Sequence, residues 1–222
     1  MPIAPSAVRP LPVRPSVVRP SFVRPSFVRP QNLVCCLAAF LCLGSGAGPA
    51  ATAGESRATT TVFQFNDPAA ATRWQVVNDG VMGGRSFGQR RVNEYKNLEF
   101  SGTLSLANNG GFSSIRTRKS GLSLSDDSVI IVRVRGDGRE YKFNLYTQQN
   151  LSGYSWRQSF QTRKGEWVDV EIPLNKFVAT WRGRTFRNER LNPSQVEGMG
   201  ILLGDKKPGP FKLEIESIKV RR

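Results

Sequence analysis

The chain has 222 residues, carries 32 Lys and Arg against 17 Asp and Glu for a net charge of +15, and contains no histidine. Its three cysteines, Cys35, Cys36 and Cys42, all fall near the N-terminus, so residues 54–222 have neither imidazole nor thiol. This excludes the usual zinc, haem and iron–sulfur ligands from that stretch, together with every nucleophile–histidine pair; only oxygen ligands of the kind that suit calcium or magnesium remain.

Residues 1–53 hold five Arg and no acid, which leaves +10 of the net +15 for residues 54–222. A basic surface favours anionic partners, and it also serves solubility. Val-Arg-Pro recurs through "VRPLPVRPSVVRPSFVRPSFVRP" (8–30), and proline at that density favours extended chain over helix. The apolar run "LVCCLAAFLCLG" (33–44) is short for a membrane span, and Ala51-Thr52-Ala53 has the small-x-small form that signal peptidase cuts. The expectation is a cleaved export signal, with Ala51 and Ala53 at the cleavage site. The mature chain then begins near Gly54, has no transmembrane span, and is periplasmic or extracellular. A mitochondrial presequence is the alternative; it is equally Arg-rich and acid-poor, but the prolines oppose the amphipathic helix it needs. The leader is long, and a translation start beyond the repeat would explain that. The domain plan is therefore 1–53 leader, 54–60 linker and 61–222 a single domain.

From residue 61 the dominant period is two, the mark of strands with one buried face. Leu98, Phe100, Leu104 and Leu106 alternate with polar neighbours, as do Tyr141, Phe143 and Leu145. Ile130, Val132 and Val134 form another such run, followed by Val168, Val170 and Ile172, then Phe211, Leu213 and Ile215. Asn109-Gly110-Gly111 breaks the chain, Gly136-Asp137-Gly138 reads as a hairpin turn, and Lys207-Pro208-Gly209-Pro210 opens the last strand. The alternation slips near Glu216-Ser217, which points to a bulge. Only "NPSQVEG" (192–198) looks helical, with Asn192 as cap and Pro193 in the first turn. About ten short strands without crossover helices give an all-β antiparallel sandwich, with the jelly roll as its natural form.

The stretch "NDGVMGGRS" (78–86) invites three readings. It lacks the Lys-Ser/Thr ending of a phosphate loop, the spacing of a dinucleotide fingerprint and a following helix. A calcium loop needs several carboxylates, whereas Asp79 stands nearly alone unless Asp67, Asp126, Asp127 or Glu214 gather around it. No cofactor or metal is assigned beyond that structural calcium. On residues alone, Asn78-Asp79-Gly80 is a turn, Gly83-Gly84 supplies backbone freedom, and Val81 and Met82 tuck into the core beneath.

A ligand could sit on an outward sheet face. The polar side of the expected 136–138 hairpin offers Arg133, Arg135, Lys142, Asn144 and Tyr146. Tyr154, Trp156 and Trp181 add rings that stack on sugars, while Arg135 and Asn144 bond hydroxyls in pairs. Alternation also places charges on any solvated face, and Trp156 is equally suited to the core. The loop "WRGRTFRNER" (181–190) sets Arg182, Arg184, Arg187 and Arg190 beside Trp181 and Phe186, a profile for acidic polymers or a protein partner. Nucleic acid is not expected for an exported chain. Asp126-Asp127 and Asp169/Glu171 are the carboxylate pairs to weigh for acid–base work; the latter share a strand face about 7 Å apart. Nothing beside either pair marks catalysis.

"WQVVNDGVMGGRS", "NNGGFSSIRT", "VRVRGDGREYKFNL" and "GEWVDVEIPLNKF", in order over residues 62–220, together resemble the complex I intermediate-associated protein 30 family. The specific parts are Asn78, Asp79, Gly80, Met82, Gly83, Gly84 and Ser86, then Asn109, Gly110, Gly111, Phe112 and Arg116. The resemblance implies a galactose-binding-like jelly roll and a non-enzymatic assembly factor for respiratory NADH:ubiquinone oxidoreductase, acting on a protein partner. The alternative is an exported carbohydrate-binding module that recognises a polysaccharide.

Overall fold

The computed structural model describes residues 58–117, 122–147, 154–181 and 183–222, except the side chain of Val81. The expected leader, its Ala51/Ala53 cleavage site, the start of the linker and Arg182 lie outside the described residues.

Alternating apolar positions produce thirteen strands among the described residues. They are β1 (Thr59–Gln64), β2 (Trp74–Asn78), β3 (Phe87–Val92), β4 (Leu98–Leu104), β5 (Ser113–Thr117), β6 (Val129–Arg135), β7 (Glu140–Thr147), β8 (Ser155–Gln161), β9 (Trp167–Pro173), β10 (Val178–Trp181), β11 (Arg184–Phe186), β12 (Val196–Leu203) and β13 (Gly209–Arg221). Sheet A runs β3-β4-β13-β6-β9, with β1 also on β13; sheet B runs β11-β10-β8-β7-β12-β5-β2. Every strand pairing is antiparallel.

The fold is thus a two-sheet antiparallel sandwich. Between the sheets lie Phe100, Ile130, Val132 and Leu213 from sheet A and Ile115, Phe143, Leu145 and Met199 from sheet B, all buried. Each such side chain contributes about 1.5–3 kcal/mol through burial. Phe63, Phe65 and Trp74 add an aromatic cluster, the rings of Phe63 and Trp74 meeting edge to face at 5.3 Å. The bulge falls where the alternation slips: the β13–β6 register shifts between Ile215 and Ser217.

Several expectations need correction. Gly136-Asp137-Gly138 does not close a hairpin, because β6 belongs to sheet A and β7 to sheet B. The turn carries the chain across the sandwich. A Cβ on Gly136 would lie 2.4 Å from Thr162, and Gly138 adopts φ +88. Asp137 is held there by Tyr141 Oη at 3.1 Å and the Lys212 amide at 2.9 Å. Arg139 beyond the turn is forked onto Asp205 at 2.7 and 3.0 Å. Those tertiary bonds outweigh the local hairpin signal.

The helical segment is only the 3-10 turn Pro193–Gln195, capped by Asn192; Val196 already starts β12. Among the described residues four further 3-10 turns occur, at Pro68–Arg73, Asp79–Met82, Ala107–Asn109 and Leu174–Lys176. Leu106 lies beyond β4 and is exposed rather than core.

Candidate functional site

The two glycine-rich signatures meet on one buried carboxylate. Asp79 opens the 3-10 turn after β2 and is 0% exposed. Its Oδ1 accepts the Ser86 amide at 2.9 Å, while Oδ2 accepts the Ser86 hydroxyl at 2.5 Å and the amides of Gly111 at 2.6 Å and Phe112 at 3.3 Å. Burial works against its ionisation. The Ser86 hydroxyl and the amides of Gly111, Ser86 and Phe112 outweigh that and hold the carboxyl below its usual range.

The glycines make room for this bond set. A Cβ on Gly84 would stand 2.3 Å from Asp79 Cγ, and one on Gly110 would stand 2.6 Å from Oδ2. Gly83 and Gly111 take φ +83 and +124, and Asn108 and Asn109 take the left-handed region at φ 56 and 58. Asn108 Nδ2 donates to Gly83 O at 3.0 Å, and Ser113 Oγ donates to Asn78 Oδ1 at 2.6 Å. Met82 does not tuck under the turn; it is 65% exposed at the tip. The interior of the turn is taken by Asp79 instead. For Val81 the side chain lies outside the described residues.

Both Asp79 oxygens are spent on protein donors, so no lone carboxylate awaits calcium. The other oxygen ligands weighed for it are dispersed. Asp67 caps a 3-10 turn and Glu214 pairs with Arg135 and Lys212, while Asp126 and Asp127 sit in a separate turn. Among the described residues no group of three or more acids could hold a metal.

The expected ligand face is split between the two sheets. Arg133 and Arg135 point outward from sheet A and are occupied: Arg133 with Asp169 at 3.0 Å and Glu216 at 2.8 Å, Arg135 with Glu214 at 2.5 Å. Both guanidiniums also stack near Trp167. Lys142, Asn144 and Tyr146 alternate with the core residues Tyr141, Phe143 and Leu145, so they face outward from sheet B. Trp156 is core, 4% exposed, and Tyr154 packs on Phe186 at 5.0 Å. Of the named aromatics Trp181 alone is an exposed ring, at 45%.

Sequence reasoning missed Arg157. It follows Trp156 in β8, so it faces the opposite side. Choosing Trp156 for the ligand face selected the wrong parity. On the sheet B exterior Arg157 Nε donates to Asn144 Oδ1 at 2.9 Å, and Asn144 Nδ2 donates to Tyr146 Oη at 3.4 Å. Arg116 lies over the Tyr146 ring, 5.4 Å from its centroid, with its Nε donating to Ser114 Oγ at 3.2 Å. Burial pushes the Tyr146 hydroxyl pKa up, with Arg116 opposing.

The basic loop presents Arg184, Arg187 and Arg190 exposed, and Phe186, Arg187, Asn188 and Glu189 line a surface pocket beside β10 and β11. The carboxylates weighed for acid–base work are engaged: Asp169 with Arg133, and Glu171 with Arg221 through a two-point pair at 2.8 and 2.7 Å.

Complex I intermediate-associated protein 30 of Mus musculus, a mitochondrial protein, is 31% identical over 183 residues, covering 72% of this chain and 55% of its own length. The Drosophila melanogaster protein of the same name is 28% identical over 187 residues, covering 72% and 62%. The chain thus spans between about half and two thirds of the length of these relatives. In solved structures, the family 11 carbohydrate-binding module from Clostridium thermocellum, in complex with a mixed-linked tetrasaccharide, matches with a TM-score of 0.56. It is 15% identical and covers 73% of this chain and 95% of that one, a likeness of fold alone. The family model described as Complex I intermediate-associated protein 30 (CIA30) matches residues 63–215, from β1 to the middle of β13, so the chain belongs to that family.

Proposed function

We propose that this protein is a non-catalytic binding protein that serves the assembly of respiratory complex I by docking on protein subunits. The observation that carries this reading is the family match over residues 63–215. The chemistry of the domain supports it. Residues 54–222 contain no histidine or cysteine, and Asp79, Asp169 and Glu171 are held in structural bonds. Such a domain acts through shape and contact. The test is affinity purification of the tagged full chain from its own cells, with complex I measured on native gels after deletion. Recovery of complex I subunits and a fall in assembled complex are expected; isolation without partners and with normal complex I would refute the reading.

The alternative, recognition of a polysaccharide, draws support from exposed Trp181 beside the basic loop. Stabilisation of the purified chain by a glycan would favour it, and no shift across a broad panel would remove it. The leader, residues 1–53, is read as a removable address. Ala51-Thr52-Ala53 supports export, whereas the mitochondrial names of the mouse and fly relatives support an organelle. Amino-terminal sequencing together with fractionation separates the two, and an intact Met1 would refute cleavage.

A further inference from the structure

The outward cations of the sandwich differ in whether a carboxylate neutralises them, and Lys219 on sheet A and Lys142 on sheet B have no ion pair with a described residue. On sheet A, Arg91, Arg133, Arg135, Lys212 and Arg221 each have a carboxylate within 3.0 Å. On sheet B, Arg116 and Arg157 form no ion pair with any described residue.

Register sets these two arginines in one row. Arg116 of β5 pairs with Gly200 of β12, Gly200 with Asn144 of β7, and Asn144 with Arg157 of β8. Three strand spacings put about 14 Å between the ends of the row at the backbone. The side chains converge from those ends, Arg157 onto Asn144 and Arg116 onto the Tyr146 ring. Gly200 makes this possible, because a Cβ there would come within 3.2 Å of both Arg116 Cγ and Tyr146 Cε2. Asn144 beneath them is 1% exposed.

Each guanidinium spends its Nε inside the protein, on Ser114 or Asn144, and no described acceptor takes the terminal N–H groups. Partly buried charge without a counter-ion is unfavourable, and two such charges of one sign are worse. Burial draws the Arg157 pKa down, and the Arg116 charge adds to this against the opposing effect of Tyr146. A structural role would be served better by neutral side chains.

We propose that the row Arg116–Gly200–Asn144–Arg157, with Tyr146, recognises the carboxylate of an acidic side chain on a partner polypeptide laid across β5, β12, β7 and β8. The proposal rests on the assembly-factor reading for the nature of the partner. The planar fork of a guanidinium matches a carboxylate in two-point fashion. A sugar fits less well, because the Tyr146 ring face is covered by Arg116 and is not bare for stacking. A phosphate fits less well too, because the backbone amides of these strands are committed to ladder bonds and none is free to form a nest.

The test uses the purified full chain and a fluorescein-labelled octaglutamate peptide, followed by fluorescence anisotropy at about 0.1 M salt, a Debye length near 10 Å. R116Q and R157Q should each weaken binding about tenfold or more, the loss of one charge-assisted contact. R157K, which keeps the charge but not the fork, should weaken it several-fold, and R184Q and R187Q less than about twofold. Melting temperatures of the variants establish that they are folded, and R157K replaces R157Q if the latter is not. No binding by the wild-type chain, or equal loss in all four glutamine variants, would overturn the proposal. So would tighter Arg157-dependent binding of inorganic phosphate or polygalacturonate than of the peptide. In the affinity purification described above, R157Q should lose the respiratory subunits that wild type recovers; retention of them would overturn the proposal while leaving the assembly reading intact. If wild type recovers none but still binds the peptide through Arg116 and Arg157, the assembly reading falls and the carboxylate site stands.

Discussion

Asp79 accepts the amide of Gly111 at 2.6 Å across 32 residues of chain, and the turns that carry the two residues are locked together by that bond. The β2–β3 connection and the β4–β5 connection therefore behave as one rim. Asp79→Asn keeps the shape but replaces one acceptor oxygen with an amide donor that faces other donors. It should cost about 2–4 kcal/mol, the range for a charged acceptor losing buried donors. Urea unfolding measures this, and a loss below about 0.5 kcal/mol would contradict the role given to Asp79.

The glycines of the rim separate by what surrounds them. Gly84→Ala and Gly110→Ala drive a methyl against the Asp79 carboxylate and should each cost about 1–3 kcal/mol. Gly80 has open space around it and no positive φ, so Gly80→Ala should be neutral or stabilising by up to about 1 kcal/mol. The three variants side by side in thermal melts distinguish close approach from general intolerance.

Acid should unfold the protein through a defined set of carboxylates. Glu99 and Glu214 are buried on sheet A, which works against their charge. Arg91 and Lys212 outweigh this for Glu99, Lys212 and Arg135 do so for Glu214, and both pKa values fall below 4.5. Asp79 and Asp205 lie below 3.8 on the same balance. A depressed carboxyl adds stability above its unfolded pKa and loses it as pH falls through the lower folded value. The melting temperature should therefore hold above about pH 5 and decline below about pH 4.

Lys212 is the cation that Glu99 and Glu214 share, at 2.9 Å from each. Lys212→Met removes it and leaves two buried carboxylates of like charge. The acid decline should then begin about one pH unit higher. An unchanged profile would show that Arg91 and Arg135 suffice.

Trp156 and Trp181 should part in the same way. Trp156→Ala empties a core position and should cost about 3–5 kcal/mol, whereas Trp181→Ala should change stability by less than about 1 kcal/mol. If Trp181 instead proves essential for stability, its surface role is wrong.

Period-two alternation made β4, β6, β7, β9 and β13 legible, because each has one face in the core. β5 and β12 were harder to read. Ser113 and Ser114 are both fully buried, and β12 buries nearly every residue of "VEGMGILL", since its outward Gly198 and Gly200 lie beneath the neighbouring Arg116 and Tyr146 side chains. Two-sided burial erases the alternation. The glycine-rich stretches were recognised as structural, but the carboxylate joining them was not, because a bond spanning 32 residues leaves no local periodicity. The false hairpin at 136–138 has the same origin: the turn residues were right and the partner strand was not. Arg157 was hidden by its neighbour, the aromatic drawing the eye to the inward side of β8.

The position of β13 bears on how the protein comes into being. This strand lies between β4 and β1 on one edge and β6 on the other, yet it is made after all of them. Until it is made, β1 has no partner strand, and the β3–β4 and β6–β9 pairs are not joined into one sheet. Long-range closure of this kind is slow and leaves strand edges exposed. Sheet A therefore closes only when β13 is drawn in between these earlier pairs.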